Sequence, residues 1–201
     1  MIVEKNITNR QLDIIEAAGK VIMEKGLTSL TTKNLATELK ISEGTLYKHF
    51  KSKMEIISNM LEFLSKNIDE RLSKITALEL NPEEKLLEIF NSQFEYFAQN
   101  PHFVVAILSE GLWDDNKQIN EKIVQLINTK RKFLITILEE GKAKNIFTNN
   151  IETNQLVMII MGSFRLQILL WKFSNFQFNL LKQGNVLMKN TIQLIKINPE
   201  K

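Results

Sequence analysis

Apolar residues recur every three or four positions along almost the entire chain, and this spacing is the strongest constraint on its fold. Strand-like alternation of apolar and polar residues is hard to find, and only seven Gly and three Pro interrupt the 201 residues. Because i, i+3, i+4 spacing places apolar side chains on one face of an α-helix, the sequence predicts an all-α protein of about nine helices.

Capping residues and helix breakers set the predicted boundaries. Asn81 and Pro82 ahead of two acidic residues are a typical helix start. Gly184 is expected in a loop before the last helix. The predicted helices span residues 9–25, 32–39, 43–49, 54–75, 82–99, 101–109, 114–142, 153–173 and 185–197.

The composition excludes several classes of protein. The chain has no Cys, which excludes disulfides and thiolate zinc sites. The N-terminus lacks the apolar segment of a secretory signal. The longest strongly apolar run, Leu156–Gly162, is far shorter than the ~18 residues of a membrane helix. We therefore expect a soluble, cytoplasmic protein.

The net charge alone does not indicate a nucleic-acid partner, and the sequence motifs do not indicate an enzyme. The formal net charge is only +3, and the positive excess of the last sixty residues is typical of a solvated face. The sequence has no dinucleotide or phosphate-binding glycine motif, no HExxH and no nucleophile elbow. The two histidines, His49 and His102, are far apart. We expect no catalytic residues, no cofactor and no metal site.

One short segment, ISEGTLYKHFKSK at residues 41–53, carries little apolar surface and many hydrogen-bonding groups. It follows a short predicted helix and a tight turn, which is the arrangement of a helix-turn-helix. In that motif the second helix enters the major groove of DNA. Leu46 and Phe50 would hold this helix to its domain, and Gly44 would let a phosphate backbone come close. The segment therefore predicts a DNA-binding head.

The same residues resemble the TetR/AcrR family of bacterial transcriptional regulators. The resemblance rests on Ser42-x-Gly44-Thr45-Leu46-Tyr47-x-His49-Phe50-x-Ser52-Lys53 and on flanking positions, and covers residues of about 10–57. It implies a helix-turn-helix DNA-binding domain at 1–55 and a ligand-binding and dimerisation domain at 56–201. It also implies a homodimer, usually a repressor, that binds a palindromic double-stranded operator and is released by a small molecule.

Carried over by position, the resemblance assigns DNA contacts to both short helices of the head. Glu43 departs from the commoner pattern. Its carboxylate could accept a hydrogen bond from a cytosine amine, or its negative charge could simply stabilise the N-terminus of the helix through the helix dipole. The predicted DNA-binding residues are Thr32, Lys33, Ser42, Glu43, Gly44, Thr45, Tyr47, Lys48, His49 and Lys53.

The helix predicted at 153–173 is apolar on nearly all faces, so it needs a cover on all faces. A second copy of the chain is the natural cover for its outer side, with the last helix contributing. A helix central to a monomer core is the alternative. The predicted dimer interface comprises Leu156, Ile160, Gly162, Ser163, Phe164, Gln167, Leu170, Trp171, Leu187, Thr191 and Leu194.

Aromatic and Met side chains on the C-terminal helices could line a cavity for an apolar or amphipathic effector, or could be ordinary core. Arg165 could anchor an acidic ligand, although pairing with an acid of the protein is the preferred interpretation. The predicted ligand-binding residues are Phe94, Phe97, Trp113, Phe133, Met158, Met161 and Arg165, with Phe63, Phe90 and Phe103 as further cavity candidates.

Three alternatives stay open at this point. The protein could bind DNA with no small-molecule ligand, in which case Phe and Met side chains would fill the cavity. It could be an activator. It could also be a helical protein of this fold that has lost DNA binding, which the Tyr47-x-His49-Phe50 sequence and Lys53 argue against.

Overall fold

The computed structural model describes residues 7–109 and 116–197, and within these ranges all regular elements are helices. This confirms the all-α prediction. A short 3-10 turn, Leu27–Ser29, follows the first helix. The α-helices are α1 (Asn9–Lys25), α2 (Thr32–Glu38), α3 (Glu43–Tyr47), α4 (Lys53–Thr76), α5 (Pro82–Gln99), α6 (Pro101–Ile107), α7 (Lys117–Ala143), α8 (Thr153–Phe173) and α9 (Leu180–Ile195).

The predicted start of α5 is formed by a capping box. The Asn81 side chain accepts from the backbone N–H of Glu84 at 3.0 Å, and the Glu84 carboxylate accepts from the backbone N–H of Asn81 at 2.9 Å. Two N–H groups that the helix leaves unpaired are thereby satisfied. Pro82, at the first helical position, has no N–H to satisfy.

Helix α9 begins before the predicted boundary, so Gly184 lies inside a helix and not in a loop. Asn179 caps the helix by accepting from the backbone N–H of Lys182 at 2.9 Å. A Cβ on Gly184 would lie 2.6 Å from two ring carbons of Phe94 in α5. The glycine therefore permits the close approach of α9 and α5, and its role is in packing.

The chain divides into two compact units at places other than the predicted boundary after residue 55. The first unit combines the chain up to Lys66 with Pro101–Leu126, and the second combines Asn67–Asn100 with the chain from Ile127 onward. The two boundaries inside helices fall within α4 and α7. The helix-turn-helix therefore shares its unit with α6.

Within the first unit, α6 packs closely against α1. A Cβ on Gly19 would lie 2.5 Å from Cδ2 of His102, so these two helices meet where α1 has no side chain. His102 is buried, and its Nε2 lies 3.0 Å from Glu16 Oε2 without the geometry of a hydrogen bond. Burial lowers the pKa of His102, and the Glu16 carboxylate partly offsets this effect. The imidazole packs between the two helices beside the Glu16 carboxylate.

Helix α8 has one buried side and one exposed apolar side. Its 18-residue window of mean hydropathy 1.6 makes it long and apolar enough to cross a membrane, although the longest uninterrupted apolar run is short. In the second unit, however, α8 packs on α9 and contributes Phe164 and Trp171 to the core. The helix belongs to a packed domain whose outer side needs a cover.

Candidate functional site

The turn between α2 and α3 has the hydrogen bonds of a Schellman motif. Lys40 adopts a left-handed conformation with φ of 55°. The Ile41 N–H donates to the Ala36 carbonyl at 3.0 Å, and the Lys40 N–H donates to the Thr37 carbonyl at 3.1 Å. These bonds end α2 abruptly and direct the chain into α3, which is the geometry that a helix-turn-helix needs.

Helix α3 is held from one side only. Leu46 and Phe50 are buried, while Tyr47 is 51% exposed and Lys48 is also exposed. Ser42 caps the helix by accepting from the Thr45 N–H at 3.1 Å, and the two hydroxyls lie 2.9 Å apart. The structure therefore agrees with the sequence interpretation, in which Leu46 and Phe50 anchor this segment and its polar face points outward.

Gly44 lies on this outward face with free space around it. A Cβ there would meet only Ser42 Oγ, at 3.8 Å, and the backbone is not in the left-handed region. Glycine costs about 0.5–1 kcal/mol relative to Ala inside a helix. Nothing among the described residues explains the glycine at this position. Close approach of a partner outside the chain to α3 would explain it.

Two predicted DNA-binding residues already bond to each other. The Thr32 hydroxyl, at the start of α2, donates to Glu43 Oε2 at 2.8 Å. This bond links the N-termini of α2 and α3. It gives Glu43 a structural role that the sequence did not predict, beside the two roles considered for it.

Lys53 also has a partner within the chain. Its Nζ donates to the Leu27 carbonyl at 2.8 Å, and partial burial lowers its pKa. The ammonium has three N–H donors, so this bond leaves two of them for the predicted phosphate contact. The remaining predicted DNA-binding residues are exposed or half-buried, in the first turn of α2 or on α3 and the segment that follows it.

Four Phe side chains form an aromatic cluster inside the second unit. The Phe164 ring centroid of α8 lies 5.4, 5.2 and 6.2 Å from those of Phe90, Phe94 and Phe97 in α5. All four side chains are buried. The predicted ligand residues Phe94 and Phe97 are thus brought together with Phe164, which the sequence assigned to the dimer interface.

Beside the aromatic cluster lies a group that we call the buried cation cluster: the buried side chains of Lys130 and Gln93 and the half-buried side chain of Arg71. Lys130 Nζ lies 3.8 Å from the centroid of the Phe164 ring. Burial and the nearby positive charge of Arg71 lower the pKa of Lys130 to about 7. Among the described residues, neither Lys130 nor Arg71 forms an ion pair with a carboxylate.

Neutral acceptors hold Arg71 in place. Its guanidinium donates to Asn67 Oδ1 at 2.9 Å, and to the backbone carbonyl and hydroxyl of Ser92 at 3.0 and 2.8 Å. It also donates to Gln93 Oε1 and lies over the ring of Tyr96. Gln93 Nε2 is buried and has no hydrogen-bond partner among the residues that the structure describes. Sequence reasoning missed this cluster.

The structure corrects the assignment of several other C-terminal residues. Met158 and Arg165 are exposed on α8, so they do not line the interior. Phe133 is buried, Met161 is half-buried and Trp113 lies outside the described residues. Five predicted dimer residues are buried within their own chain and leave almost no surface for a partner: Leu156, Ile160, Phe164, Trp171 and Thr191.

The surface that remains on α8 and α9 is apolar. Leu194 is 85% exposed, Gly162 and Leu170 are also exposed, and Ser163, Gln167 and Leu187 are half-buried. The predicted interface omitted other exposed apolar side chains of these two helices, which are Met158, Ile159, Leu166, Phe173 and Val186. Helical phase separates the two sides of α8, and this signal was available in the sequence.

Comparison with known families and structures agrees with the helix-turn-helix geometry. The profile described as "Bacterial regulatory proteins, tetR family" matches residues 14–60, and that of "YsiA-like protein, C-terminal region" matches residues 44–195. The chain belongs to the TetR family. It is a DNA-binding transcription regulator with an N-terminal helix-turn-helix, as the resemblance implied.

Relatives of this TetR-family regulator include proteins with different described roles. Nucleoid occlusion factor SlmA of Vibrio campbellii is 26% identical over 77% of this chain and 80% of its own length. The transcriptional regulator FadR of Bacillus subtilis, solved with stearoyl-CoA, has a TM-score of 0.80 and 22% identity, covering 92% of this chain and 98% of that one. A Clostridium perfringens protein, described as a candidate fatty acid metabolism regulator, has a TM-score of 0.77 and 27% identity, covering 92% and 99%.

Proposed function

We propose that the protein is a repressor that binds a palindromic operator as a homodimer in the cytoplasm and is released by an apolar or amphipathic effector. The observation that carries the DNA-binding part of this proposal is Gly44. Its backbone conformation and its surroundings do not require a glycine, and close contact between α3 and DNA would explain one. We infer no catalytic activity. The effector would bind more tightly to one state of the dimer, in which the two DNA-binding domains no longer match the spacing of the operator half-sites. Its binding would therefore shift the dimer towards that state.

An acyl compound is the effector class that we propose. The second unit contains the aromatic cluster, whose buried rings would have to separate to admit an acyl chain. The FadR structure of Bacillus subtilis contains stearoyl-CoA, and the Clostridium perfringens protein is described as a candidate regulator of fatty acid metabolism. These descriptions belong to those proteins, and they support the proposal for this chain through the shared fold.

A regulator without a ligand is the second candidate, and one observation favours it. The four rings of the aromatic cluster pack on one another and are buried, as expected if Phe side chains fill the position of a ligand. The two candidates differ in a single measurable property, which is whether an acyl compound releases the protein from DNA.

We expect the purified protein to shift one fragment of its own upstream region in a mobility assay. Binding should weaken at higher salt, because phosphate contacts release counterions. The Gly44→Ala variant should bind that fragment at least about 10-fold more weakly, a loss of about 1.4 kcal/mol. Its melting temperature should not fall, because Ala has room in α3 and a higher helix propensity.

The controls separate the parts of this proposal. Ser73→Ala, at an exposed position of α4, should bind DNA like the wild type. Addition of palmitate or of palmitoyl-CoA tests release of the shifted fragment by an acyl compound, and persistence of the complex with both would favour the regulator without a ligand. Equal binding by Gly44→Ala and wild type would contradict a close DNA approach at α3. If no tight complex forms, even after selection from random DNA, the proposal that the protein binds an operator would be wrong.

The exposed apolar surface of α8 and α9 predicts that dimerisation is sensitive to a single charge. Leu194→Glu should elute as a monomer at concentrations where the wild type is a dimer, because burying an unpaired carboxylate costs several kcal/mol. Thr136→Glu, at an exposed position of α7, is the matched control and should remain dimeric. Light scattering after gel filtration measures both masses, and a dimeric Leu194→Glu would place the interface elsewhere.

A further inference from the structure

The buried cation cluster is rich in hydrogen-bond donors, and no carboxylate of residues 7–109 or 116–197 pairs with its charges. Lys130 is 7% exposed and Gln93 is 1% exposed. Gln93 Nε2 is an unpaired donor, and Arg71 keeps a permanent positive charge next to the Lys130 ammonium. Buried charges are normally paired, and a buried donor without an acceptor costs free energy. In the described part of the chain, no carboxylate supplies that pairing.

The partners that the cluster does have are weak for its charges. The Lys130 ammonium faces the ring of Phe164, which is a poorer partner than a carboxylate. Arg71 is fixed by neutral oxygens of Asn67, Ser92 and Gln93. The cluster is therefore pre-arranged, and its positive charge lies directly beside the apolar rings of the aromatic cluster.

We propose that the buried cation cluster binds the carboxylate of the effector while its acyl chain lies against the aromatic cluster. This inference rests on the ligand-responsive function proposed above and specifies its chemistry: the effector is a free carboxylic acid with an apolar tail. Lys130 is the principal anion-binding residue, and Gln93 Nε2 and Arg71 add donors to the same carboxylate oxygens. A neutral acyl alcohol would leave the positive charge of Lys130 unpaired.

The test compares three probes of equal chain length, dodecanoate, dodecanol and dodecanoyl-CoA, by calorimetric titration of the full chain. Wild type should bind dodecanoate about 10- to 100-fold more tightly than dodecanol, the range expected for hydrogen bonds to a charged group. Lys130→Met should lose this preference and still melt cooperatively. Lys132→Met, at an exposed lysine two residues along α7, should retain it.

Each other outcome would overturn the inference in a distinguishable way. Equal affinity for dodecanoate and dodecanol would remove the carboxylate from the site and leave an acyl effector possible. A preference for dodecanoyl-CoA that survives Lys130→Met would place the polar end of the effector elsewhere. If none of the probes binds, an acyl ligand is excluded. The DNA-binding function is tested separately, by the mobility assay.

Discussion

Lys130→Met should stabilise the protein by about 1–4 kcal/mol at pH 7, the gain found in favourable cases when buried ionic groups are replaced by apolar side chains. Two terms oppose each other. A fall of the lysine pKa from 10.5 to about 7 corresponds to a burial penalty of roughly 5 kcal/mol when the amine is protonated. The contact with Phe164 returns only about 0.5–2 kcal/mol. The penalty is larger, so its removal should raise the melting temperature.

The stability gain should depend on pH in a direction that the pKa fixes. Between pH 7 and 10.5 the unfolded chain binds a proton at Lys130 that the folded chain does not, so wild-type stability rises with pH, by at most about 1.4 kcal/mol per pH unit. Below pH 7 both states are protonated and the full penalty remains. The advantage of Lys130→Met over wild type should therefore shrink from pH 7 to pH 9.

Thermal melts or urea titrations at the two pH values measure this difference directly. Lys132→Met is the matched control, since Lys132 is exposed and should change stability by less than about 0.5 kcal/mol. A Lys130→Met variant that is less stable than wild type would show that the ammonium has a strong partner in the free protein. That result would also remove the basis for an unoccupied carboxylate position.

Gly184→Ala should destabilise the protein by about 2–3 kcal/mol, near the upper end for an overpacked core. The added Cβ would lie 2.6 Å from two ring carbons of Phe94, which is fully buried. Movement of the ring would disturb its packing on Phe164, since the two ring centroids lie 5.2 Å apart. Either α9 must move from α5 or the aromatic cluster must repack. Chemical denaturation at one pH is sufficient to measure the loss.

Gly162→Ala supplies the control for the same chemical change in a neighbouring helix. A Cβ on Gly162 meets nothing within 4 Å in the chain, so Ala should gain up to about 1 kcal/mol of helix propensity in the monomer. Replacing Phe94 by Leu in the Gly184→Ala background should recover part of the lost stability. Equal effects of the two Gly→Ala substitutions would contradict the packing role of Gly184.

The bounds of α1 agree with the sequence prediction because local signals mark both its ends, the capping box of Thr8 and Gln11 and the glycine at Gly26. The bounds of α8 also agree, although its N-cap residue Glu152 makes no side-chain capping bond. Gly184 misled the prediction because a glycine that permits packing and a glycine that ends a helix look alike in one sequence. The distinction depends on Phe94, ninety residues away, and on the crossing of α5 and α9. Long-range contacts of this kind have no local signal.

The outward face of α3 was predictable, whereas the buried cation cluster was missed. A positive charge inside a core contradicts the expectation that Lys and Arg are solvated. A signal nevertheless existed in the helical phase. Lys130 is followed by Phe133, Leu134 and Ile137 at the spacings that define a buried face, and Gln93 lies between Phe90 and Phe97 in the same way. Bonds such as Thr32 to Glu43 depend on the turn geometry and are not readable from spacing.

The contact of Gly19 with His102 limits how this regulator can be recombined with its relatives. A chimera that takes only the helix-turn-helix from another family member would place a foreign α1 against the imidazole of this α6. Any side chain at the position of Gly19 would enter the ring, since even a Cβ comes within 2.5 Å. The exchangeable unit is therefore discontinuous in sequence, and a functional swap of DNA specificity should carry α6 along with α1, α2 and α3.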